Sequence, residues 1–295
     1  MKIEGAFPPV TTPFDDNGCI VHDHLAENIK RWNDTGISGY LILGSNSESV
    51  FLNEEEKLEV VKTARKSIPT SKKMLVGTGL ESTNGTLEFT RKAADHGADV
   101  AVVMTPHFFK GNMSHKAFMK HYQMIADSSP IPVLLYNVPP FTGLNMAAET
   151  ASALSSHENI IGIKDSSGNV EQLSEIISLT GEREFSVLTG SSIVLYPSLC
   201  VGATGGIMAI ACVLPEKCSD IIRLYKNDNH ADIKELQMRL IGPTVAVTSR
   251  YGVPGLKAAM DLFGYYGGRS RLPLLSITEA EIDDIKNIFT GAGFL

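Results

Sequence analysis

The chain has 295 residues, of which 43% are hydrophobic and 20% charged, and a formal net charge of −7 at pH 7. This is enough chain and apolar surface for one large domain or two ordinary ones with a substantial core. The acidic balance and the lack of any Lys/Arg block argue against nucleic acid as a partner, and no apolar run approaches the length of a membrane-spanning helix. The opening Met1-Lys2-Ile3-Glu4-Gly5 lacks the apolar stretch of a secretory signal. Cys19, Cys200, Cys212 and Cys218 have no C-x-x-C spacing and read as reduced thiols, which points to the cytoplasm.

Along the chain, short apolar runs alternate with longer amphipathic segments. The runs predict strands near Ala6–Thr12, Gly39–Leu43, Met74–Gly77, Val100–Met104, Val133–Asn137, Ile160–Lys164, Phe185–Thr189 and Gly205–Ile207. Helices are expected near His22–Asp34, Glu54–Lys66, Thr83–His96, His115–Ser128, Met146–Ser155, Glu171–Leu179 and Ile193–Val201. Asn53, Ser82, Ser114 and Asn145 stand where N-caps belong, and Thr278-Glu279-Ala280-Glu281 reads as a capping box.

Such alternation demands a parallel sheet with helical crossovers. Eight units in roughly 210 residues suit a (β/α)8 barrel. The competing doubly wound sheet usually carries a nucleotide fingerprint, and Gly77-Thr78-Gly79 has Ser82 where a third glycine belongs. The expected organisation is an α/β barrel over residues 1–213 and a helical C-terminal extension over 214–295.

A barrel of this kind carries its site at the C-terminal ends of its strands. Those ends are Thr11-Thr12, Gly44-Ser45-Asn46-Ser47-Glu48, Thr105-Pro106-His107, Tyr136-Asn137, Lys164, Thr189-Gly190-Ser191 and Gly205-Gly206-Ile207. Hydroxyls and glycines such as Gly190 suit a small anionic substrate held by hydroxyls and backbone amides. Lys164 closes the apolar run Ile160–Ile163, so its amine is expected in a sheltered pocket, where desolvation disfavours the ammonium and frees a nucleophile. The alternative is a lysine snorkelling at a strand end. Tyr136 is expected beside it on the neighbouring strand, placed to shuttle protons; alone it would read as a half-buried strand aromatic. Glu48 could serve as a base or as a structural carboxylate under the loop. The eight histidines form no ligand set, and there is no H-E-x-x-H.

These residues, in this order, resemble the dihydrodipicolinate synthase/N-acetylneuraminate lyase family of class I aldolases over nearly the whole chain. The resemblance rests on Val10-Thr11-Thr12-Pro13-Phe14, Gly44-Ser45-Asn46-Ser47-Glu48, Tyr136-Asn137-Val138-Pro139 with Thr142-Gly143, and Gly162-Ile163-Lys164-Asp165-Ser166-Ser167-Gly168. It implies a (β/α)8 barrel with a helical extension, built as a homotetramer from a dimer of dimers. It further implies a Schiff base between Lys164 and pyruvate or another 2-oxo acid. Tyr136 is then the proton relay, Ser45 passes protons on, Asn46 binds the carboxylate and the Ile207 carbonyl faces the keto acid. No metal or organic cofactor is implied.

Three positions depart from the family pattern. Phe141 stands where the synthases carry the arginine of Y-N-V-P-x-R-T, Phe108-Phe109 replaces the tyrosines of T-P-x-Y-Y, and Ser47 replaces the loop glycine, where it is expected to crowd the carboxylate site. Loss of an arginine removes a charge-assisted anion contact. Within the family, Gly5 with Pro8-Pro9-Val10-Thr11-Thr12-Pro13-Phe14, Gly44-Ser45-Asn46, Lys164-Asp165-Ser166, Gly252-x-Pro254-Gly255-Leu256-Lys257 and Phe263-Gly264-Tyr265-Tyr266-Gly267-Gly268 make the chain most similar to 4-hydroxy-2-oxoglutarate aldolase. The expected reaction is therefore retro-aldol cleavage to pyruvate and an aldehyde such as glyoxylate, with Ser166 and Asn46 holding the C4 hydroxyl or far carboxylate. The alternatives are dihydrodipicolinate-type condensation, another lyase or dehydratase of the family, and a non-catalytic keto-acid-binding barrel.

Overall fold

The computed structural model describes residues 1–295. In chain order its elements are β1 (Gly5–Phe7), α1 (His22–Asn33), β2 (Gly39–Ile42), α2 (Glu54–Ser67), β3 (Lys73–Gly77), α3 (Thr83–Asp95), β4 (Val100–Met104) and α4 (His115–Ser128). There follow β5 (Val133–Asn137), α5 (Pro139–Thr142), α6 (Ala148–Leu154), β6 (Ile160–Asp165), α7 (Val170–Thr180), β7 (Ser186–Thr189), α8 (Leu195–Cys200) and β8 (Gly205–Ile207). The C-terminal helices are α9 (Pro215–Lys226), α10 (His230–Val245), α11 (Gly252–Leu262) and α12 (Glu279–Gly291).

The strands form one parallel eight-stranded sheet in the order β1-β8-β7-β6-β5-β4-β3-β2. Its two ends meet. Ser38 N–H donates to the Ala6 carbonyl at 2.9 Å, Leu41 N–H to Pro8 at 3.0 Å and Val10 N–H to Leu41 at 2.9 Å. The sheet thus closes into a (β/α)8 barrel. β1 is shorter than the expected Ala6–Thr12 because Pro8 and Pro9 have no N–H to give a ladder.

One irregularity in this ring decides where Lys164 points. Along β5, Val133 and Leu135 pack outward under the helices, while Leu134 and Tyr136 face the barrel interior. On β6, Ile160 faces out and Ile161 in. Unbroken alternation from there would turn Lys164 outward. Instead the register slips: Val133 pairs with Ile160, but Leu134 pairs with Gly162. The bulge at Ile161 restores Ile163 to the outer face and sets Lys164 opposite Tyr136. Gly162 permits it, since a Cβ there would overlap the Ser186 carbonyl oxygen on β7.

Asn53, Ser82, Ser114 and Thr278 cap their helices as the sequence predicts. Asn145 does not cap α6. Its side chain bonds to Asn137 and Gln172 instead, and the helix begins after Ala147 without a side-chain cap. Helix α9 packs on β1 and α8, in the place of the barrel's eighth helix, and α10 to α12 pack beyond it. The segment after residue 213 thus begins with barrel wall. No helix is long and apolar enough to cross a membrane.

Gly162→Ala should break the β6–β7 approach and cost on the order of 3 kcal/mol or more, read as a lowered urea midpoint. An unchanged midpoint would show that β7 yields without loss.

Candidate active site

Lys164 and Tyr136 lie side by side at the ends of β6 and β5, 4% and 5% exposed. The Lys164 amine sits 3.9 Å from the centroid of the Tyr136 ring. Tyr136 Oη is 3.3 Å from Ser45 Oγ, at the end of β2. Three strands therefore deliver an amine, a phenol and a hydroxyl to one point of the barrel mouth.

Asp165, next to Lys164 in sequence, is turned away from that point. It is fully buried and accepts bonds from Asn137 Nδ2 and Gln172 Nε2, each at 2.7 Å, and from Ser167 N–H at 2.9 Å. Asn137 Oδ1 in turn accepts from Met146 N–H at 2.9 Å. This buried network anchors the ends of β5 and β6 to the outer helices, and so orients the two residues that face inward. Sequence reasoning missed it: Asn137 reads as a strand end, Asn145 as a cap and Asp165 as a turn residue, and Gln172 lies unmarked within a helix.

The β2 loop is a single-turn 3-10 segment, Ser45–Ser47. Ser47 is buried in the loop. Its hydroxyl donates back to the Val10 carbonyl, and Thr12 Oγ1 donates to the Ser47 carbonyl at 2.7 Å. Glu48 is the structural carboxylate of its two readings. Its Oε1 lies 2.6 Å from Lys257 Nζ, with both side chains 1% exposed. Burial pulls the Lys257 amine below the ordinary lysine range, and the Glu48 charge opposes that shift.

A cavity of about 570 Å3 opens at the mouth, with Ser45, Tyr136, Met104, Thr105 and Phe141 in its wall. Lys57, Glu81 and His107 supply its charged groups besides the paired Glu48. Glu81 pairs with His107 at 2.9 Å and also accepts from the Phe108 N–H at 2.9 Å. Burial lowers the Lys57 amine from its usual value, against the raising influence of Glu54. Phe141 is 64% exposed, and Phe108 and Phe109 stand edge to face at 5.1 Å, both exposed.

Lys164 itself, and Asn46, Ser166, Gly190 and Ile207, are not in the wall of this cavity. Asn46 follows Ser45 in the 3-10 turn and is half-buried. Ser166 lies against Gly190, where any Cβ would overlap its hydroxyl. Ile207, at the end of β8, belongs to the apolar cluster of the barrel interior with Phe7, Leu188 and Tyr136. No cluster of three His, Cys, Asp or Glu side chains is placed to hold a metal ion.

Comparison with known proteins places this geometry. Residues 2–292 match the family model described as the dihydrodipicolinate synthetase family. A 4-hydroxy-tetrahydrodipicolinate synthase from Methanothrix thermoacetophila is 34% identical over 288 residues, covering 97% of this chain and 96% of its own. The crystal structure of a dihydrodipicolinate synthase from Bacillus anthracis superimposes with a TM-score of 0.93 at 28% identity, covering 98% of this chain and 99% of its own. A dihydrodipicolinate synthase from Acinetobacter baumannii, solved in complex with pyruvate, gives 0.94 at 26% identity with full coverage of both chains, 100% each.

Asp165→Ala should leave the Asn137 and Gln172 amides unpaired in the interior and cost about 3 kcal/mol, measured by chemical denaturation. A loss within error of zero would mean that water replaces the carboxylate.

Proposed function

Because the chain belongs to the dihydrodipicolinate synthetase family, whose members are lyases, we propose that it is a Schiff-base lyase acting through pyruvate, and that it cleaves 4-hydroxy-2-oxoglutarate to pyruvate and glyoxylate. The observation that carries this reading is the buried Lys164 amine against the Tyr136 ring, with the Tyr136 phenol in contact with Ser45. The pyruvate complex of the Acinetobacter baumannii relative supports the 2-oxo acid half.

In this mechanism the Lys164 amine adds to the C2 ketone, and loss of water leaves an iminium. The iminium withdraws the electron pair of the breaking C3–C4 bond and becomes an enamine. Tyr136 receives the C4 hydroxyl proton as its own proton passes through Ser45, 3.3 Å away, to cavity water. The aldehyde leaves, Tyr136 gives a proton to the enamine at C3 and regains one from cavity water through Ser45, and hydrolysis frees pyruvate and the amine. Asn46, Ser166, the Gly190 backbone and the Ile207 carbonyl are assigned to the substrate's carboxylates and hydroxyl. The group needed is the protein's own lysine, with no further cofactor. We further propose that it is a cytoplasmic homotetramer, the assembly that its family resemblance implies.

A second reading is condensation of pyruvate with an aldehyde, favoured by the names of relatives such as that of Methanothrix thermoacetophila. It shares every step to the enamine. Phe141 speaks against it, because this cavity-wall side chain offers no charge to an incoming carboxylate.

Product analysis separates the two. With 4-hydroxy-2-oxoglutarate, pyruvate and glyoxylate should accumulate in equal amounts; turnover with aspartate semialdehyde and pyruvate but not with this acid would favour condensation. Lys164→Ala should abolish turnover, and Tyr136→Phe should lower kcat by roughly 10²–10⁴-fold with an intact fold. Undiminished turnover in Lys164→Ala would overturn the mechanism.

A further inference from the structure

The C-terminal segment reaches back to the loop that carries Ser45. Lys257, on α11, donates to the Thr12 carbonyl at 2.8 Å and the Arg269 carbonyl at 2.6 Å, while its charge faces Glu48 at 2.6 Å. Glu48 Oε1 has no aligned hydrogen bond and is held by that charge. The other oxygen accepts from the Arg271 backbone N–H at 2.8 Å. The Arg271 side chain then grips the following turn through the Phe51 carbonyl at 2.9 Å and Glu56 at 2.8 Å. Both cations, Lys257 and Arg271, lie 4.5 Å from the centroid of the Phe14 ring. One buried carboxylate thus gathers the end of the first strand, the β2 loop and the C-terminal segment.

The loop is held in a conformation that it would not keep alone. Leu43 and Glu48 bracket Gly44–Ser47, with φ of 57° and 55°. These are left-handed values, unfavourable for a residue with a Cβ and maintained only where the surroundings over-determine them. Glycine would adopt the conformation at Glu48 freely, so a glutamate there is explained by its carboxylate. Glu48 N–H donates to the Ser45 carbonyl at 3.1 Å, which ties the two residues together. The contact that matters, Ser45 Oγ to Tyr136 Oη, is already long at 3.3 Å. The ordinary O–H···O separation is about 2.7–2.8 Å, so little displacement is needed to lose it.

We propose that the Glu48–Lys257 pair, closed by Arg271, is a positioning device for the proton relay, holding the Ser45 hydroxyl on Tyr136 from the C-terminal segment. The Gly252–Lys257 motif is then part of how the site works, and Glu48 and Lys257 are positioning residues that act through Ser45. This rests on the Schiff-base reading above.

Exchange of the pyruvate C3 protons in D2O, followed by NMR, tests it without any aldehyde, because exchange needs the enamine and the relay. If the wild-type protein does not exchange them, the Schiff-base reading itself fails. Given wild-type exchange, two variants probe the clamp. Glu48→Gly removes the carboxylate and relaxes the backbone. The double variant Glu48→Gln/Lys257→Met removes both charges, so that neither is left buried and unpaired. Each should exchange at least about tenfold more slowly, with the KM for pyruvate within about twofold of wild type. On a Ser45→Ala background, Glu48→Gly should slow exchange no further, since both changes break the same contact. Wild-type exchange rates in either folded variant, or full additivity with Ser45→Ala, would overturn the proposal.

Discussion

A one-residue slip in the pairing of β5 and β6 governs this site. Side chains on a strand face alternate sides with a period of two, so an inserted residue turns every later side chain over. Here the insertion lies at Ile161, three residues before Lys164. Without it, the lysine would enter the apolar layer between strand and helix, and Ile163 would enter the barrel. With it, the amine rests on the Tyr136 ring, and Gly162 supplies the close approach to β7 that the bend requires.

Around that point, polar groups work in two directions. On the outer side of β5 and β6, Asp165, Asn137 and Gln172 satisfy one another and fix the strand ends. On the far side of the mouth, Glu48, Lys257 and Arg271 do the same for the loop after β2. Removing a single partner from either set leaves a buried polar group without compensation. The inward-facing residues between them have few such bonds, which leaves them available to a ligand. The cavity beside Tyr136 and Ser45 has an apolar part to its wall, with Phe141, Met104 and Leu80.

Much of this architecture was legible in the sequence. The strands Val100–Met104, Val133–Asn137 and Gly205–Ile207 and the helix His115–Ser128 fall where apolar runs and caps placed them. They did so because turn residues punctuate each apolar run. Lys164, Tyr136 and Ser45 converge as their positions at strand ends suggested. The bulge was not legible: Ile160, Ile161 and Ile163 are all apolar, so the run carries no mark of which residue is the extra one. Asn145 stood at a plausible cap position but is taken by a long-range partner that no local pattern shows. Glu48 and Lys257 each stood in a motif, yet the distance between them in sequence hid their pairing. Local chemistry could be read from the chain; contacts between remote segments could not.

The central claim is a covalent bond between the Lys164 amine and the C2 carbon of a 2-oxo acid. Its most direct test is borohydride reduction in the presence of pyruvate, followed by peptide mapping by mass spectrometry. The account predicts one reduced pyruvyl group per chain, carried by the peptide that contains Lys164 and absent from Lys164→Ala. A chain that gains no mass on reduction, or gains it at another lysine such as Lys57, would contradict it.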